Sequence, residues 1–128
     1  RIAQLAGVPL VLPSGTHGLR AIVDAAFARE RQTPQVVLEI DGLAVLMDAV
    51  RAGLAATVQP GAATVRLPDE GMARLPIAGR FAYRRNLIAS LSDSELSPAG
   101  LAARVMLAQV ARQLVTAGRW PGATLHDS

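Results

Sequence analysis

Residues 8–27 read VPLVLPSGTHGLRAIVDAAF. An apolar run, 8–12, stops at Pro13. Hydroxyls, glycines and an imidazole follow: Ser14, Gly15, Thr16, His17 and Gly18. Then apolar residues recur at Leu19, Ile22, Val23, Ala26 and Phe27. The first piece reads as a short buried strand, and the i, i+3, i+4 recurrence is one face of a helix. Arg20 and Asp24 stand four apart on its other face and can pair. Arg29, Glu30, Arg31 and Gln32 end the helix in solvent, and Pro34 blocks its continuation.

Working outward, the same order repeats. Residues 35–40 (QVVLEI) form a second predicted strand. Asp41 is placed as an N-cap, because its carboxylate can accept the free N–H groups of the next turn. Leu43, Leu46, Met47 and Val50 mark a second apolar helix face, with Asp48 and Arg51 on its solvated back and Gly53 as the residue that closes it. Residues 54–58 (LAATV) are a third short strand, ended by Gln59, Pro60 and Gly61. Strands without alternation, set between amphipathic helices, imply an α/β fold whose parallel-rich sheet is flanked by helices and buried on both faces. Right-handed crossovers are then expected. Ligands of such sheets bind beyond the carboxyl ends of the strands. That rule selects three loops: 14–18, 41–42 and 59–62.

The later part is less regular. Residues 61–65 are expected to make a helical turn and 68–71 a polar turn. Residues 72–77 (MARLPI) read as an edge strand, since Pro76 cannot donate to a ladder. Residues 81–91 (FAYRRNLIASL) have a longer strand pattern, and 92–95 a loop. Ser97 then caps, and Pro98 opens, the clearest helix of the chain. Its apolar side is Leu101, Val105, Ala108, Ala111, Leu114 and Val115, and Gly118 terminates it. Residues 120–128 are a tail, ordered only if Trp120 or Leu125 docks.

Composition bounds what such a chain can do. It has 128 residues, 51% of them apolar and 3% aromatic, enough for a core built from Ala, Leu and Val. No apolar run approaches a membrane span. The absence of cysteine excludes disulfides, thiol catalysis and zinc–thiolate sites, and fits a cytoplasmic location. The net charge of +3 comes with thirteen basic residues that are all Arg, scattered from Arg1 to Arg119 with only Arg84 and Arg85 adjacent. They form no basic stripe with interleaved aromatics, so direct nucleic-acid binding by these residues is not expected. The first residue is Arg1 rather than Met, and the chain is expected to be part of a longer protein.

The chemistry of the 14–18 loop narrows by elimination. A serine nucleophile lacks its elbow, because Pro13 precedes Ser14 and no G-x-S-x-G occurs. His17 lies only three residues on, whereas triad members come from distant segments. His17 and His126 are the only histidines, and neither stands in a metal-ligand pattern or a carboxylate cluster. The phosphate- and dinucleotide-binding glycine patterns are missing too. No catalytic residue, cofactor or metal is expected. Two readings of Ser14, Gly15, Thr16 and His17 remain, and they are compatible. Ser14 or Thr16 caps the helix, or the group cradles an anion at a helix N-terminus, where unpaired N–H groups and the helix dipole favour negative charge. Asp41, Gln59 and Pro60 carry the same choice between a local structural role and ligand contact.

The ordered set of LPSGTHGLR, VRAGLAATVQP and GRWPGATL after a Ser-Pro helix resembles the effector-binding domain of LysR-type transcriptional regulators, over most of the chain from about residue 8 to 125. The family is similar in fold to type 2 periplasmic binding proteins, in which two α/β subdomains flank a cleft that holds a small effector. The resemblance implies that residues 1–79 are the second subdomain. It makes 80–119 a return strand and C-terminal helix belonging to the first, and 120–128 a tail. It implies an effector, a small carboxylate or other anion, bound by Ser14, Gly15, Thr16, His17, Asp41, Gln59 and Pro60. DNA would be met only through an N-terminal winged helix-turn-helix outside this sequence, and a homo-oligomer without membrane association is expected. The alternative is a lobe of a transporter's solute-binding protein. An α/β enzyme fragment is a weaker third option, since no acid–base pair can be placed.

Overall fold

A computed structural model describes residues 1–65, 67, 71–79 and 83–126. The chain divides into two compact units. One comprises Arg1–Gln59 and Arg66–Arg84, the other Pro60–Val65 and Arg85–Ser128.

The first unit is built around one short strand. β1 (Pro9–Leu12) pairs in parallel with β2 (Gln35–Glu39), and α1 (Gly18–Arg29) and α2 (Leu43–Arg51) follow them in turn. Leu10, Val11 and Leu12 are wholly buried. Side chains alternate across a strand, so Leu10 and Leu12 join the α1 side, with Leu19, Val23, Ala26 and Phe27. Val11 faces the other way and packs with Leu46 and Met47 of α2. A single apolar strand thus binds one helix on each face. Four of the five residues predicted for the apolar face of α1 are buried. A 3-10 turn, Ile2–Leu5, which the sequence pattern did not suggest, adds Ile2 to the α1 side.

The sheet is smaller than expected. Register shifts between Leu10 and Val11, whose partners are Val36 and Leu38, so that Val37 is skipped. β2 is correspondingly open, with Val37 46% and Leu38 40% exposed. The expectation that every strand is buried on both faces holds for β1 and fails for β2. The predicted third strand shrinks to one parallel bridge, Leu10 to Ala56. It is made by Val11 N–H donating to the Ala56 carbonyl at 2.8 Å and Ala56 N–H donating to that of Pro9 at 2.9 Å. The segment has little room to extend. Leu54 N–H is still committed to α2's end, donating to the Ala49 carbonyl, and Pro60 has no N–H to give.

All three helices among the described residues stop the same way. Gly53 N–H donates to Val50 and Leu54 N–H to Ala49. Gly118 N–H donates to Val115 and Arg119 N–H to Leu114. These paired bonds need a left-handed residue, and Gly53 (φ 72°) and Gly118 (φ 67°) supply it. At the end of α1 the same bonds run from Arg31 to Ala28 and from Gln32 to Phe27, but the left-handed residue is Arg31 (φ 55°).

In the second unit, α3 (Pro98–Thr116) begins as the sequence indicates. Ser97 Oγ accepts from Gly100 N–H at 3.1 Å, and Pro98 opens the helix. Arg104 reaches back to Asp93 at 2.7 Å and to the Ser90 hydroxyl at 3.2 Å. No residue of α3 is fully buried. Leu101, Arg104, Ala108, Ala111, Leu114 and Val115 form a half-buried stripe, while Val105, expected on the apolar side, is 51% exposed. Residues 61–64 make the expected helical turn. Pro121 lies against it so closely that a Cβ on Gly61 would stand 2.5 Å from the Pro121 carbonyl oxygen.

Two further predicted strands are not found among the described residues. Residues 72–77 and 83–91 pair with no strand among the described residues, and Phe81 and Ala82, which open the second, lie outside them. Met72 and Ile77 still pack against the two sides of the first unit's core. A strand pattern is a demand for a partner ladder, and these stretches meet none. The polar turn predicted at 68–71 lies outside the described residues except for Gly71.

Candidate functional site

Because β1 and β2 are parallel neighbours, the loops after them leave the same edge of the sheet, and both following helices begin there. Ser14 N–H donates to Asp41 Oδ1 at 2.9 Å, joining two of the three loops that the strand-end rule selected. The Ser14 and Thr16 hydroxyls lie 3.1 Å apart.

The caps differ from those expected. α1 is capped by neither Ser14 nor Thr16 but by His17, whose Nδ1 accepts from Leu19 N–H at 3.2 Å. An accepting Nδ1 carries no proton, so the neutral imidazole holds its proton on Nε2 and has a donor to spare. Asp41 is not the cap of α2 either. Gly42 occupies that position and α2 has no side-chain cap, because Asp41 sits one residue earlier with its carboxylate committed across the strand edge to Ser14. Neither helix has an acidic residue in its first turn. The first amides of α2 are therefore without a side-chain acceptor from their own cap, and the positive end of its dipole is left to that one neighbouring carboxylate.

The carboxyl of Asp41 is held below the usual carboxylate range. The hydrogen bond from the Ser14 backbone is the largest cause, followed by that from the Ser14 hydroxyl. Arg20 supports the same loop from below. Its Nη1 donates to the Pro13 carbonyl at 3.0 Å and to Glu39 Oε1 at 2.6 Å, and its Nε to Asp24 at 3.0 Å. The bonds to Glu39 and then Asp24 raise the guanidinium pKa further, against the opposing effect of partial desolvation. The Asp24 pairing was readable from its spacing. The links to Pro13 and Glu39 depend on β2 lying beside β1 and carry no local sequence signal.

Glycine surrounds this edge without structural need. A Cβ on Gly15, Gly18 or Gly42 would meet nothing within 4 Å, and none of the three has a positive φ. The third selected loop carries Gln59 and Pro60. The Gln59 amide donates to the Thr57 hydroxyl at 3.3 Å, and Pro60 leads into the 61–64 turn of the second unit. Among the described residues no group of His, Asp and Glu is arranged to hold a metal ion, and no helix is long and apolar enough to cross a membrane.

The model of the LysR substrate binding domain matches residues 1–115, and the chain belongs to that family. Domains of this family have a periplasmic-binding-protein-like α/β fold, and they are regulatory rather than catalytic. This chain is accordingly effector-binding sequence of a LysR-type regulator, and its two helices and parallel strand pair are part of that fold. No curated protein and no solved structure is significantly similar to the chain.

Proposed function

We propose that the strand edge carrying Ser14, Gly15, Thr16, His17 and Asp41 is one wall of the effector site, completed by Gln59 and Pro60, and that the effector is a small organic anion. The observation that carries this reading is the convergence of two helix N-termini on one edge, neither with an acidic first turn, around hydroxyl, imidazole and backbone N–H donors. A carboxylate there would be met by donors and by the positive ends of two helices, and Gly15 would let it reach the backbone. Residues 1–79 would belong to the second lobe of the effector-binding domain, and 80–119 to the first. Binding would bias the angle between lobes, and a homo-oligomer would pass that bias to DNA-binding domains in the cytoplasm.

A ligand that binds only the folded state must stabilise it, by about 2.7 kcal/mol at about one hundred times its Kd. A thermal-shift screen of small carboxylates, sulfate and phosphate is expected to find anions that raise the Tm. Ser14→Ala/Thr16→Ala should abolish the rise. An equal rise in that variant removes the loop from the site.

A further inference from the structure

We infer that Arg20 and Asp41 are positioning residues that clamp the Pro13–Ser14 peptide at both ends and thereby fix the reach of the 14–17 loop. The two bonds concerned belong to one peptide unit. Its carbonyl oxygen, on Pro13, accepts from Arg20 Nη1 at 3.0 Å, and its N–H, on Ser14, donates to Asp41 Oδ1 at 2.9 Å. The charges match the dipole of that peptide, with a cation at the oxygen and an anion at the N–H. Turning the plane over would set the carbonyl against a carboxylate and the N–H against a guanidinium, so one orientation is selected.

Both jaws are anchored outside the loop. Arg20 belongs to α1, its side chain is only 15% exposed, and Asp24 and Glu39 hold it from α1 and from β2. Asp41 follows Ile40, whose N–H donates to the Leu12 carbonyl at 3.0 Å and so extends the pairing to the end of β1. The loop is therefore tied to both strands and to α1 just before it presents Ser14, Gly15, Thr16 and His17.

The clamp also gives Asp41 a role that suits its charge. A carboxylate facing an anionic effector would repel it. One spent on Ser14 N–H acts through the loop instead. Arg20 likewise is engaged by Pro13, Asp24 and Glu39 rather than held out towards a ligand. This assignment of roles rests on the effector-site reading, whereas the clamp itself does not.

Amide hydrogen exchange by NMR separates the two. In Asp41→Ala and Arg20→Met, exchange at Ser14 is expected to speed up about tenfold or more, the loss of a charge-assisted hydrogen bond. Protection of Val11, which bonds to Ala56, stays as in the parent chain. Asp41→Asn and Arg20→Lys, which keep an acceptor and a charge respectively, should fall between. Should Arg20→Met fail to fold, Glu39→Gln loosens the same jaw and takes its place. Sulfate, titrated calorimetrically into the same proteins, should bind about tenfold more weakly to the Ala and Met variants at unchanged Val11 protection. Unchanged Ser14 exchange overturns the clamp. Faster exchange with unchanged sulfate affinity overturns the positioning role. If the parent chain binds no sulfate, the anion reading fails by itself, and the exchange result alone decides the clamp.

Discussion

His17 does work that a hydroxyl was expected to do. With Nδ1 accepting from Leu19 N–H, it satisfies one of the free donors of α1 and leaves Nε2–H facing out. The two roles separate by substitution. His17→Ala should cost about 1 kcal/mol of stability in denaturant unfolding, the usual value of a lost cap, and His17→Asn should recover most of that. Both should weaken the response to an anion, because both lack the imidazole donor. An Asn variant that responds like the parent would leave His17 as a cap and nothing more. Arg31 offers a gain. It holds a left-handed conformation that the equivalent positions fill with Gly53 and Gly118. Arg31→Gly is expected to stabilise by about 1 kcal/mol, and a loss of stability on urea titration would mean that the arginine side chain earns its place by contacts. Asp41 sets a pH dependence. Its folded-state pKa is depressed, so its contribution is complete above the ordinary carboxyl value and is lost only as pH falls through the lowered one. Protection of the Ser14 amide should accordingly be flat through neutral pH and collapse only in acid. A collapse near neutrality would mean that another group holds the loop.

At the scale of elements, what could be read from the sequence was what local periodicity encodes. The unbroken apolar run of Leu10, Val11 and Leu12 and the spacing of Leu19, Val23, Ala26 and Phe27 specify a strand and a helix face that need each other, and both formed. Phe27 is wholly buried, and Phe27→Ala should cost about 3–5 kcal/mol, readable in urea titration. A cost under about 1 kcal/mol would deny α1 its place in the core. The strands predicted at 54–58, 72–77 and 81–91 are reduced to one bridge or missing among the described residues for a common reason. A strand exists only with a partner, and pairing is decided by distant segments that no local pattern reports. The same limit applies to the candidate site. The strand-end rule correctly grouped Ser14 with Asp41, since parallel pairing follows from the alternating strands and helices. It did not identify which side chains cap, because rotamers settle that. It also missed Arg20, whose acceptors on Pro13 and Glu39 become neighbours only after β1 and β2 pair. The glycines are the sharper probe of function at this scale. Gly15 has neither a φ nor a neighbour that forbids a Cβ. Gly15→Ala should therefore leave the Tm nearly unchanged while lowering anion affinity. A variant that binds as well as the parent would show that no ligand approaches the backbone there.

For the whole molecule, the two units differ in what they bury. The first has a closed core around β1, whereas α3 of the second leaves Val105, Met106, Leu107 and Val110 between 46% and 62% exposed. An apolar helix side of this extent is expected to drive association of the isolated chain, with mass in light scattering rising with concentration and falling back in Met106→Glu/Val110→Glu. A monodisperse monomer over a wide concentration range would show that this surface is not sticky. The proposed effector edge nevertheless belongs to the first unit, and the decisive measurement is titration of a small carboxylate into the isotope-labelled chain, followed by amide NMR. Saturable shifts are expected to concentrate at Ser14, Gly15, Thr16, His17 and Gly18 and at the first amides of α2, Leu43 and Ala44. Saturable shifts confined to α3, with the Ser14–Asp41 edge unmoved, would contradict it.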